Sequence, residues 1–151
     1  MPEKVISNTS CLIVLQKIDE LGLLHKVYGK IVTTPQVIAE LGIDTPDWIE
    51  IKSVSDPREQ QILELIVDEG EASAIALAME YQESLLILDD YKARKIAEKS
   101  GLRITGTIGV IIKAKKRGII DSVRFYLDKI SHTDFRITKE LINKALKEAD
   151  E

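Results

Sequence analysis

Asp89 and Asp90 end the unbroken apolar run Leu85-Leu86-Ile87-Leu88. Adjacent carboxylates at the exit of a buried strand repel each other, and a divalent cation or a basic ligand relieves that repulsion. Further oxygen donors hold comparable positions. Asn8, Thr9 and Ser10 follow the first strand-like run, and Gly106 and Thr107 follow the last. Glu40 falls about two helical turns into the segment after the second run, and Glu71 opens an Ala-rich helical pattern. If these groups converge, the donor set is oxygen-only and hard, suited to Mg²⁺ or Mn²⁺. Such ions promote phosphodiester hydrolysis by activating water and neutralising charge. Each residue also has an ordinary structural use. Asn8, Ser10 or Asp90 can cap helices, Glu71 can complement a helix dipole, and Glu40 can be a solvated surface group.

Basic residues follow the acidic pair. Lys92, Arg94, Lys95, Lys99 and Arg103 form one cluster, and Lys113, Lys115, Lys116 and Arg117 form another. Lys113, Lys116 and Arg117 can share one helical face. Residues 1–90 hold 6 basic and 17 acidic side chains, a balance of −11, whereas residues 91–151 hold 15 and 8, a balance of +7. The net charge of −4 over 151 residues therefore leaves room for a polyanion on one face and carboxylates on another.

Several function classes are excluded. Cys11 is the single cysteine, so there is no intrachain disulfide and no cysteine-based zinc cluster, and it sits in an apolar run as a buried, inert thiol. His25 and His132 lack metal-site spacing. There is no GxxxxGK[ST] loop, no dinucleotide-binding glycine pattern and no GxSxG elbow. A phosphoacceptor receiver domain fits the length, but its acidic pair is expected early in the chain. No apolar run approaches the roughly 20 residues that span a bilayer. Met1-Pro2-Glu3-Lys4 leads straight into a strand-like segment without the basic and apolar regions of a signal peptide, so an intracellular, cytoplasmic and soluble protein is expected.

Strand-like runs alternate with longer helical patterns, which predicts one α/β domain over residues 1–151, with a central parallel sheet of about five strands and helices on both faces. Strands are expected at Val5-Ile6, Lys30–Thr33, Trp48–Val54 at a sheet edge, Ser84–Leu88 at the centre, and Arg103–Thr105. Helices are expected after each, including one over Gln60–Val67 whose apolar face is Ile62, Leu63, Leu65 and Ile66. In such a sheet, functional groups gather beyond the carboxyl ends of the strands.

Five segments occur in the order seen in PIN-domain proteins: Ser7–Ser10, Pro35 with Val37–Leu41, Gly70–Ala78, Leu86–Asp90 and Thr105–Val110. The sequence most resembles a prokaryotic PIN-like subgroup related to VapC toxins, over a core of about residues 4–120, with residues 121–150 as that subgroup's helical tail. The resemblance implies a Mg²⁺- or Mn²⁺-dependent ribonuclease fold, often homodimeric and, in toxin–antitoxin systems, held inactive by a cognate antitoxin. Carried onto this chain, the catalytic set is Asn8, Glu40, Glu71, Asp89 and Asp90. Metal ligands are drawn from Asn8, Glu40 and the Asp89-Asp90 pair, with Ser10 and Thr107 in support. Either aspartate of the pair, and either Glu71 or Ser73, can face the metal. Asn8 departs from the aspartate usual in active PIN nucleases; its amide oxygen still ligates, but it carries no charge and cannot act as a base.

The leading expectation is thus a PIN-type endoribonuclease of a toxin–antitoxin system, with Lys92, Arg94, Lys95, Lys113, Lys116 and Arg117 gripping single-stranded or structured RNA. The alternatives are a weak or inactive module that binds RNA or a protein, and an interaction subunit whose acidic cleft accepts a partner's Arg or Lys.

Overall fold

A parallel strand covered on both faces needs apolar side chains at nearly every position. Ser84–Ile87 meets that requirement, and all four residues are buried. The computed structural model describes residues 3–151; Met1 and Pro2, at the start of the predicted domain, lie outside the described residues. The strands are β1 (Lys4–Ser7), β2 (Ile31–Thr33), β3 (Ile49–Ile51), β4 (Ser84–Ile87) and β5 (Arg103–Thr105). The helices are α1 (Thr9–Lys17), α2 (Gly22–Tyr28), α3 (Pro35–Leu41), α4 (Pro57–Leu63) and α5 (Glu69–Met79). They continue as α6 (Tyr91–Lys99), α7 (Thr107–Lys116), α8 (Val123–Ser131) and α9 (Lys139–Glu148).

The five strands form one all-parallel sheet in the order β3-β2-β1-β4-β5. The middle position belongs to β1, with β4 beside it rather than at the centre, and β3 lies at an edge as expected. The strand alternation divides the core. Val5, Leu85 and Ile87 face a layer containing Leu12, Leu15, Leu24, Ile111 and Leu127, whereas Ile6, Val32, Leu86 and Leu88 face Leu63, Ile75, Leu77, Ala93 and Ala97. The chain lays β2 and β3 on one side of β1, then β4 and β5 on the other. The sheet's switch point therefore falls between the ends of β1 and β4.

One predicted helix is displaced. Asp56 caps α4 by accepting the Arg58 amide, Pro57 supplies the first turn, and the helix stops at Leu63. Tight turns then link Leu65 to Ile62 and Ile66 to Leu63. The expected apolar face does not form: only Leu63 is buried, and Leu65 is 85% exposed, with Ile62 and Ile66 exposed beside it. The Asp-Pro cap sets the helix start earlier than hydrophobic periodicity suggests.

Two polar seams fix the helices that carry the candidate groups. Thr34 caps α3 by accepting the Val37 amide at 3.2 Å. It also meets the Ser73 hydroxyl at 2.6 Å, and Ser73 donates to the Gly70 carbonyl at 2.8 Å. The satisfied chain runs Val37 amide, Thr34, Ser73, Gly70, and it joins α3 to α5 inside the core. At the other end of the molecule, the Glu151 carboxylate accepts from Lys115 Nζ at 2.9 Å and from the Val123 amide at 2.6 Å, tying α7 to the start of α8. That ion pair with Lys115, aided by the amides, holds its pKa down at about 2.

Replacing Thr34 with Ala removes a helix cap and one link of the buried chain. Urea denaturation is expected to show a loss of about 1–2 kcal/mol, coupled non-additively to Ser73→Ala.

Candidate functional site

Asn8 is the N-cap residue of α1, yet its side chain makes no capping bond. The residue is 5% exposed, and its Oδ1 is the one buried side-chain polar atom among the described residues without a hydrogen-bond partner. A buried acceptor left unpaired costs free energy. It lies at the switch point, where the Asn8 amide donates to the Ile87 carbonyl at 3.0 Å, just before the acidic pair.

Asp89 is the most tightly held of the acidic groups. Its Oδ1 accepts the Thr107 amide at 2.8 Å, and its Oδ2 accepts Thr107 Oγ1 at 2.6 Å and Ser10 Oγ at 2.9 Å. Three donors from two helix N-termini thus converge on one carboxylate, which the positive ends of α1 and α7 also favour. Ser10 and Thr107, the two residues expected in support of the site, both bond Asp89. Gly106 makes the approach possible. A Cβ there would lie 2.8 Å from Asp89 Oδ1 and 2.9 Å from Arg94 Nη1. Nearby Cys11 is buried; burial, and next the charge of Asp89, push its thiol far above the ordinary range, as fits an inert cysteine.

Asp90 is exposed and caps α6, its Oδ2 accepting the Ala93 amide at 2.9 Å. Its ordinary structural use is therefore real, but it engages a single donor. Glu71 is half-buried and belongs to a capping box with Asp68. Its pKa rises to about 7, from burial first and then from the charges of Asp68 and Asp90. It shares the electrostatic field of the acidic pair, whereas Ser73 is committed to the seam between α3 and α5. Glu40 is exposed; its Oε2 accepts Thr9 Oγ1 at 2.8 Å, and its carboxylate rests on Gly70, where a Cβ would sit 2.3 Å from Oε1.

These carboxylates do not close around one point. Among the described residues, no three His, Cys, Asp or Glu side chains gather closely enough to hold an ion. Asn8, with its orphaned Oδ1, follows β1, and the Asp89-Asp90 pair follows β4, the strand paired with β1, so all three are oxygen donors at the ends of neighbouring strands. That suits Mg²⁺, which binds through one or two carboxylates and keeps its remaining positions for water and phosphate. Glu40 stands on the α3–α5 side.

The predicted phosphate-gripping cations separate into two groups. Arg94 is half-buried beside Asp89 and donates to the Leu88 carbonyl at 2.9 Å. Lys92 and Lys95 are exposed on the same helix. Lys113, Lys116 and Arg117 lie at the far end of α7 from Thr107. Lys113 Nζ is 4.9 Å from the Tyr28 ring centroid, and Arg117 donates to the Val27 carbonyl, so both face α2. Gly70, which lies against the Glu40 carboxylate, was not a candidate, whereas Thr9, which bonds Glu40, and Gly106, the cradle of Asp89, belong to the polar set at the strand ends.

An all-parallel sheet with oxygen donors at its switch point is the arrangement of a nuclease-type α/β domain. The family model of the PIN domain matches residues 4–151, and the chain belongs to the PIN-domain family. The match takes in α8 and α9. PIN domains generally use divalent metals, and the fold suits nucleic-acid binding. No curated protein and no solved structure matches the chain. No helix among the described residues is long and apolar enough to cross a membrane.

Two predictions separate the acidic groups. Asp89→Ala strands three donors and is expected to cost about 3 kcal/mol or more, against about 1 kcal/mol for Asp90→Ala, a lost cap; urea midpoints decide. The raised pKa of Glu71 means that the folded state binds its proton more tightly than the unfolded chain does. Its ionisation therefore removes stability as pH rises from about 4.5 to about 7. In EDTA, Glu71→Gln should raise the melting temperature at pH 8 and leave it nearly unchanged at pH 4. An equal shift at both pH values would contradict this assignment.

Proposed function

We propose that the protein is a divalent-metal-dependent endoribonuclease of the PIN type, the toxin-like nuclease of a toxin–antitoxin system. It acts in the cytoplasm as a homodimer restrained by a cognate antitoxin. The observation that carries this reading is the buried, unpartnered Asn8 Oδ1 at the end of β1, the strand paired with β4, which the Asp89-Asp90 pair follows. Asn8, Asp89 and Asp90 would hold Mg²⁺ or Mn²⁺, and Glu40 bonds Thr9 next to Asn8. The bound ion supplies Lewis-acid polarisation and a nucleophilic water near neutral pH.

The chain's own residues have separable tasks. Ser10 and Thr107 fix the orientation of Asp89, so its oxygens do not have to be ordered when RNA arrives. Burial first, and then the charges of Asp68 and Asp90, raise the proton affinity of Glu71, and a cation at Asp90 would offset part of that rise. Arg94, and Lys92 and Lys95 along α6, offer positive charge to the phosphates flanking the cut.

A second reading is favoured by Asn8 itself. An amide contributes no charge, which weakens metal affinity and points to an RNA- or partner-binding module with little turnover. Purified protein incubated with single-stranded RNA tests both. The nuclease reading predicts cleavage with Mg²⁺ or Mn²⁺ that EDTA abolishes, and about a hundredfold or greater loss of rate in Asp90→Asn. Activity that persists in EDTA sinks it. Salt-sensitive binding without turnover, with cleavage appearing in Asn8→Asp, selects the binding module.

A further inference from the structure

A groove of about 670 Å³ starts at Asp89 and runs between α6, the β5–α7 junction and α9. Its volume lies within the roughly 300–1,000 Å³ of sites that enclose small ligands. Ile108 is part of the lining, Tyr91 and the partly buried Phe135 contribute aromatic rings, and Arg94, Arg136 and Lys144 bring three positive charges alongside the carboxylates of Asp89 and Glu148. Tyr91 is 71% exposed, an unusual state for so large a ring, and Lys95 Nζ stands 4.8 Å from its centroid. Arg136 and Lys144 are exposed and form no ion pair among the described residues. Part of this groove comes from the segment after residue 130, which the site described above does not use.

The geometry points to a binding site for an unpaired nucleotide of single-stranded RNA, adjacent to the phosphate at Asp89. The base stacks on Tyr91 and Phe135, and the neighbouring phosphates meet Arg136 and Lys144. Aromatic faces interleaved with cations in one groove are the working parts of a single-strand platform. A duplex keeps its base faces within its own stack and cannot use the rings. A helical protein partner would use the apolar lining, but it gives no reason for three cations beside an acidic centre. The assignment rests on reading Asp89 as part of the cleavage site, since that fixes where the strand must pass.

Fluorescence polarisation with a short labelled single-stranded RNA in EDTA, where nothing is cut, tests it. Tyr91→Ala is expected to weaken binding about tenfold, with a similar loss for Phe135→Ala. Arg136→Gln combined with Lys144→Gln should lower the slope of log affinity against log salt by about 1.4, or 0.7 per phosphate contact. Tyr91, Arg136 and Lys144 are exposed, so those variants stay readable even if Phe135→Ala fails to fold. Wild-type affinity in Tyr91→Ala together with a wild-type salt slope in the double variant overturns the proposal and leaves the groove to a protein partner. The two readings fail separately. Binding that depends on these residues, in a protein that cuts nothing with Mg²⁺ or Mn²⁺, upholds the groove without the nuclease. Cleavage unchanged in all these variants upholds the nuclease without the groove.

Discussion

The carboxylate of Asp89 ties together elements that are otherwise far apart in sequence. Leaving β4, it takes Ser10 from the first turn of α1 and both the amide and hydroxyl of Thr107 from the first turn of α7. Each bond is charge-assisted and partly shielded from water, where such bonds count for more than they do on the surface. The switch point is therefore held shut by an acid whose removal would release two helix N-termini at once. Gly106 is the steric condition for this arrangement, because any side chain there would displace either Asp89 or Arg94.

Around that fixed point the remaining acids divide the work. Asp90 and Glu71 have capping duties and a shared field, which is why burial and charge raise the proton affinity of Glu71 rather than that of an isolated surface acid. Asn8 lowers the repulsion in the crevice at the cost of one negative charge. Its Oδ1 is buried without a hydrogen-bond partner. Glu40, tied to Thr9 and resting on Gly70, is held out on the rim by the buried Thr34–Ser73 seam.

Much of this was legible in the sequence, for physical reasons. An unbroken apolar run ending in Asp89-Asp90 can only be an interior parallel strand with polar groups at its exit, and the alternation of strands and helices leaves few other folds. Pro35 and Gly42 bounded α3 through their own backbone preferences. What was not legible depends on neighbours brought in by tertiary packing. Periodicity placed a helix over Gln60–Val67, but the Asp56-Pro57 cap started it earlier and left Ile62, Leu65 and Ile66 outside the core. Spacing placed Lys113 and Arg117 on one helical face but did not foretell that Lys113 stands over the Tyr28 ring or that Arg117 donates to the Val27 carbonyl. Nothing in the local sequence connects Phe135 or Lys144 to Asp89; only the return of α9 across the sheet edge does so.

The charge asymmetry gains a location from these contacts. The acidic half supplies the switch-point carboxylates, and the basic half begins with α6, whose Arg94 lies against them. The central claim is that Asn8, Asp89 and Asp90 together hold a divalent cation. Anomalous diffraction from crystals soaked in Mn²⁺ tests it directly. The account predicts one ion within ligand distance of Asn8 Oδ1 and of at least one of the two aspartates; no anomalous peak there at millimolar Mn²⁺ would contradict it.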